Sequence, residues 1–147
     1  MGTTVVCALL TGTTLTIGHV GDSRLYILAD GRLVAQTRDD TWAAALLEGG
    51  DEGTALRGHP MRNVLTNVLG GRPTVDVHVT ERVLLGGEVL LLCSDGVHGV
   101  LDAAALARIL ERTPDVAAAA QAIVDTALEQ GSRDNVTALV VRYEAEA

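Results

Sequence analysis

Residues 89–100 read VLLLCSDGVHGV. Val89 to Cys93 is a short apolar run with no polar alternation, the pattern of a central strand covered on both faces. It ends abruptly in Ser94-Asp95-Gly96, so the strand carries a carboxylate to its very end. An Asp beside Gly opens turns readily, while a charged group at the mouth of a buried strand is costly unless it is paired or bound to metal. The residues by themselves leave both readings open.

Outward from that strand, period-2 runs and turn residues predict a strand-rich chain. Thr3 to Leu10 is apolar at nearly every position, as in a strand buried between two layers. Leu15 to Ile17, Arg24 to Leu28 and Leu33 to Ala35 follow, separated by Thr11-Gly12-Thr13, Val20-Gly21-Asp22-Ser23 and Ala29-Asp30-Gly31. Four short strands in a row predict an antiparallel sheet. Asp39, Asp40 or Thr41 can then cap a helix from Trp42 to Glu48 that Gly49-Gly50 stops. Residues 51–63 read as a mobile loop and Val64 to Leu69 as a strand. Val75, Val77 and Val79 alternate with polar residues, a half-exposed strand. Past the central strand, Asp102 caps a helix to about Glu111, and Pro114 opens a longer one, Val116 to Glu129, that Gly131 ends. Asn135 to Tyr143 is the last strand. Helices grouped among strands, without strict alternation, predict an α+β fold in one domain, residues 1–147.

The totals narrow the function. At 147 residues with 48% hydrophobic and 2% aromatic residues, the core must be built from aliphatic side chains. A net charge of −8 argues against nucleic acid as a partner. No basic residue precedes Arg24, so the N-terminus does not read as a signal peptide, and no run approaches a membrane span. Cys7 and Cys93 sit in apolar runs and read as buried reduced thiols. Together these features predict a cytoplasmic protein.

Three aspartates stand at turns beside strands: Asp22 in GHVGDSR, Asp95 above, and Asp134 in GSRDNVT. Arg24 and Arg133 are their nearest pairing candidates in sequence. If the three carboxylates meet, they form an all-oxygen set suited to Mg²⁺ or Mn²⁺. Among the histidines, His98 reads as a solvent-facing turn residue, His19 as a sheet-face residue, His59 as a loop residue and His78 as outward-facing.

Taken together, GDSR at 21–24, CSDG at 93–96 and SRDNVT at 132–137 resemble three ordered motifs of the metal-dependent PPM (type 2C) protein serine/threonine phosphatases, in their bacterial form. MGTT at 1–4, TRDDTWAAALLEGG at 37–50 and HPMRNVLTNVLGG at 59–71 resemble further family segments. The resemblance implies a sandwich of two antiparallel β-sheets flanked by helices. It makes Asp95 and Asp134 ligands of a two-metal Mn²⁺ or Mg²⁺ centre. It makes Asp22 a ligand, with Asp95, of a third and weaker ion. Gly21, Gly96 and Asn135 become supporting residues, Asn135 orienting Asp134. The implied activity is hydrolysis of phosphoserine and phosphothreonine in proteins by a metal-activated water, opposing a serine/threonine kinase.

The family's N-terminal Asp-Gly-x-x-Gly-His motif has no counterpart here, so the domain is expected to be incomplete at its N-terminus. On this expectation the chain alone binds Mn²⁺ weakly and turns over phosphoesters slowly or not at all. A completing N-terminal part or second chain would restore the site. The alternative is a phosphatase-like module that binds a protein partner through residues 43–63.

Overall fold

In the computed structural model, which describes residues 1–48 and 58–145, seven strands form two antiparallel sheets. Strands β1 (Val5–Thr11), β2 (Thr14–Val20), β3 (Arg24–Ala29) and β4 (Arg32–Ala35) open the chain, followed by helix α1 (Trp42–Glu48). Then come β5 (His78–Val83), β6 (Val89–Cys93), the single turn α2 (Asp95–His98), α3 (Ala103–Arg112), α4 (Val116–Glu129) and β7 (Ala138–Arg142). One sheet has the order β1-β2-β5, the other β4-β3-β6-β7. The four opening strands therefore do not share a sheet as their spacing predicts. The chain crosses from one sheet to the other between β2 and β3, at Gly21-Asp22.

The apolar run at 89–93 is central, as expected, paired with β3 on one side and β7 on the other. Leu91 and Cys93 face a core shared with Leu106 and Leu110 of α3 and Ile123 of α4. Leu90 faces the opposite way, into a second core with Leu15, Ile17, Leu25 and Leu84 between the sheets. Covering both faces removes the need for polar alternation. The thiol of Cys93 is buried as predicted, and burial pushes its pKa up to about 12. The helices begin on side-chain caps: Asp102 accepts from Ala105 N–H at 2.8 Å and Asp115 from Ala118 N–H at 2.8 Å.

Four further expectations fail. β1 is not sandwiched between layers: it is an outer strand, and Val5, Cys7, Leu9 and Leu10 are exposed. Only its inward-facing Val6 joins the inter-sheet core. Cys7 is accordingly an exposed thiol. Val64 to Leu69 is not a strand; it makes isolated bridges, Leu65 to Thr41 and Leu69 to Thr3. The alternating strand begins three residues late, at His78, and every residue of β5 is exposed, because β5 is the other outer strand of its sheet. The helix stop at Gly49-Gly50 and residues 51–57 of the expected loop lie outside the described residues. Among the described residues no helix is long and apolar enough to cross a membrane.

Glu88 secures the turn that feeds β6. It is buried and accepts from Leu85 N–H at 2.6 Å and Gly86 N–H at 2.7 Å. Burial pushes its carboxyl up, but hydrogen bonds from the amides of Leu85, Glu88 itself and Gly86 outweigh it and hold the pKa below its ordinary 4.5. A depressed carboxyl contributes stability above its unfolded pKa and loses it as the pH falls through the folded one. Glu88→Gln is therefore expected to cost about 1 kcal/mol at pH 7. Urea melts should show that difference shrinking as the pH drops below 4.5.

Candidate metal centre

The three sequence-predicted carboxylates come from different parts of the fold. Asp22 follows β2 at the crossing between sheets, Asp95 follows β6, and Asp134 precedes β7. All three line one cavity of about 790 Å³, together with Arg24, Arg38, Asp39, Arg62, His98 and Arg133.

Two glycines let the backbone come close enough to build this cavity. Gly21 has φ +101°, a conformation side chains resist, and a Cβ there would collide with the Thr4 side chain. Gly96 packs against the backbone of Asn135, whose carbonyl oxygen a Cβ would strike. Around Gly96 the strand end and the loop before β7 are sewn together. Ser94 Oγ donates to Asn135 O at 2.9 Å and accepts from Thr137 N–H at 3.0 Å. Ser132 Oγ donates to Gly96 O at 2.7 Å. Asp134 is exposed, and its Oδ1 takes the Asn135 amide at 2.8 Å. The backbone of Asn135 thus restrains Asp134.

The charges are not balanced within the protein. Arg24, a pairing candidate for Asp22 by sequence, is committed elsewhere. Its Nε and Nη2 grip both oxygens of Asp39 at 2.8 and 2.7 Å, and its Nη1 donates to the Tyr26 hydroxyl at 2.8 Å. Asp22 is buried. Burial, then the negative charges of Asp95 and Asp39, raise its pKa to about 6, and Arg24 offsets this least of all. Deprotonated Asp22 facing Asp95 is a concentration of negative charge that a cation would relieve.

His98 is not the solvent-facing residue its position suggests. It is half-buried at the end of α2, and its Nε2 donates to the Asp22 carbonyl at 2.8 Å. Burial first, then Arg24, lowers its pKa, so the ring is neutral at pH 7. Its role is a clasp between α2 and the Gly21-Asp22 turn. His19 is buried on β2, His59 lies in the turn after the undescribed residues, and His78 is exposed on β5.

The three carboxylates offer oxygen ligands alone, a donor chemistry that fits a hard divalent cation. The spacing is looser. Among the described residues no three Asp, Glu, His or Cys side chains are gathered closely enough to hold one ion. Mg²⁺ and Mn²⁺ accept such sites, because they are often held by one or two carboxylates and keep several waters.

This fold and these motifs have close counterparts. The chain is 37% identical over 141 residues to the serine/threonine protein phosphatase PstP of Mycobacterium tuberculosis, and 32% identical over 142 residues to the serine/threonine phosphatase stp of Listeria innocua. A crystal structure of the M. tuberculosis phosphatase superposes with a TM-score of 0.90 at 36% identity, over 98% of this chain. The chain is homologous to serine/threonine phosphatases of the PPM family. No family model matches it. The chain spans 27% of the length of M. tuberculosis PstP, 56% of the Listeria phosphatase and 61% of the superposed crystal chain. Its match lies in their C-terminal part. The catalytic domain of PstP is also known in complex with two manganese ions, and that structure superposes on this chain with a TM-score of 0.84 over 99% of its residues.

The residues that sequence reasoning missed are those tied by long-range bonds. Asp39 was legible only as a helix cap, yet it holds Arg24. The α1 cap is Thr41, whose Oγ1 accepts from Ala44 N–H at 3.3 Å. Asp40, beside it, carries a different load.

Proposed function

We propose that this chain supplies Asp22, Asp95 and Asp134 to a Mn²⁺ or Mg²⁺ centre of a protein serine/threonine phosphatase that removes phosphate from phosphoserine and phosphothreonine. The observation that carries the reading is one cavity into which three strand-end carboxylates open, with Asp22 left electrostatically unsatisfied by the protein itself. Bound divalent cations supply an acidified water and offset charge on the phosphoryl oxygens. The chain's own residues do the rest. Asp22 and Asp95 offer the paired negative charge. The Ser94 and Ser132 hydrogen bonds hold the Asp95 and Asp134 segments in one rigid unit. Arg62 and Arg133, which line the same cavity, offer positive charge to an incoming phosphorylated segment. Such an enzyme opposes a serine/threonine kinase in the cytoplasm.

A second reading, a phosphatase-like module that binds protein without turnover, is favoured by one observation: the absence, among the described residues, of a three-carboxylate cluster. The test is hydrolysis of a phosphothreonine peptide by this chain in millimolar Mn²⁺, with and without chelator, and with Asp95→Asn as control. Slow phosphate release that needs Mn²⁺ and is lost in Asp95→Asn is the expected result. A folded chain that releases no phosphate, yet still binds a phosphorylated protein, favours the module instead.

A further inference from the structure

Asp40 does not line the cavity, yet it is the most heavily bonded carboxylate behind it. Its Oδ2 accepts from Gly21 N–H at 2.9 Å and from Asn67 Nδ2 at 2.8 Å. Its Oδ1 lies 2.8 Å from His78 Nε2. Its backbone adds two bonds: Asp40 N–H donates to Gly21 O at 3.0 Å, and Asp40 O accepts from Thr66 N–H at 2.9 Å. The partners are themselves held. Asn67 Nδ2 donates to Asp76 O at 2.7 Å, and the His78 ring stacks on His19 with centroids 4.7 Å apart.

Gly21 immediately precedes Asp22 and sits at φ +101°. With no side chain, it has nothing of its own to lock that conformation. Asp40 takes both the N–H and the C=O of Gly21, so one residue restrains the peptide groups on either side of the glycine. That restraint sets the direction in which Asp22 leaves the turn. Asp40 is followed by Thr41, the α1 cap, so the cavity wall carried by α1 and the Asp22 turn hang from adjacent residues.

We propose that Asp40 is a positioning residue of the acidic cavity, one that aims Asp22 by clamping both peptide groups of Gly21. The role rests on the metal-dependent reading above. Residues that orient a ligand without touching the ion typically change metal affinity by 10–100-fold when removed. Asp40→Ala is therefore expected to weaken Mn²⁺ binding by about tenfold, measured by Mn²⁺ line broadening in NMR titrations of the full chain. It should also speed hydrogen exchange at the Gly21 amide.

Asp40→Asn keeps an oxygen for Gly21 but loses the charge shared by His78 and Asn67, so it should fall between parent and Ala. It also serves if Asp40→Ala does not fold. Glu88→Gln is the control for a purely structural carboxylate: Glu88 lines a different cavity, and its loss should leave Mn²⁺ affinity unchanged. Mn²⁺ affinity of a folded Asp40→Ala within twofold of the parent overturns the proposal, as does a loss no larger than that of Glu88→Gln. A parent chain that takes up no Mn²⁺ sinks the proposed function and this role with it. Unchanged Gly21 exchange in Asp40→Ala sinks this role alone.

Discussion

Gly96→Ala is expected to destabilise the protein by about 2–3 kcal/mol, among the costs typical of forcing extra volume into a packed interior. The glycine needs no special φ; its restriction is space. A methyl group there would strike the Asn135 carbonyl oxygen and approach Val136 Cγ2 at 3.3 Å. The obstructing atom is backbone, so no rotamer change relieves it. The segment that must move is the one stitched to Ser94 and Gly96 by four hydrogen bonds. Asp95 and Asp134 should separate as a consequence. Chemical denaturation measures the stability loss, and Mn²⁺ titration of the folded fraction measures the separation. A variant as stable as the parent would show that the two loops are held less tightly than their bonds indicate.

Asp22→Asn should have opposite effects on stability and on metal binding. Burial and the charges of Asp95 and Asp39 raise the folded pKa of Asp22 from 3.8 to about 6. A raised carboxyl contributes its full stability below the unfolded pKa, and that contribution is lost as the pH rises through the folded one. In metal-free protein the loss runs between pH 3.8 and about 6. Asn has no charge to desolvate. Asp22→Asn is accordingly expected to raise the metal-free Tm at pH 7.5 by on the order of 3–6 °C, and to change it little at pH 3.5. Millimolar Mn²⁺ should stabilise the parent and leave the variant nearly unmoved, since a ligand stabilises only what it binds. Scanning calorimetry at the two pH values, with and without Mn²⁺, decides it. A variant less stable than the parent at pH 7.5 would mean that Asp22 is satisfied within the protein. Such a stability cost, held at a site for the sake of charge, is a common mark of function.

These predictions rest on parts of the molecule that were legible to different degrees. The run Val89 to Cys93 announced a central strand because two covered faces leave no place for polar alternation. Asp102 announced a helix start because a cap is a local bond, made three residues away. Trp42 to Glu48 was readable for the same reason, Val116 to Glu129 from Pro114 before it and Gly131 after it, and the ordered set GDSR, CSDG and SRDNVT carried the family resemblance. What the sequence by itself determined is what adjacent residues decide: strand and helix character, caps, and the placing of Asp22, Asp95 and Asp134 at chain turns. Partner choice across the chain was not readable. The apolar run of β1 and the alternation read before β5 show strand character, but not that both strands lie at the outside of a sheet, where one face meets water. Nor do they show that β2 and β3, adjacent in sequence, part into different sheets. Arg24 meets Asp39, Asp40 meets Gly21 and His78, and His98 meets Asp22 only because the sheets and helices bring together residues that the chain keeps 15 to 76 positions apart. Only the tertiary structure decided which carboxylates are neutralised and which remain charged and exposed to one another, because Coulomb energy depends on distance and burial and not on order along the chain.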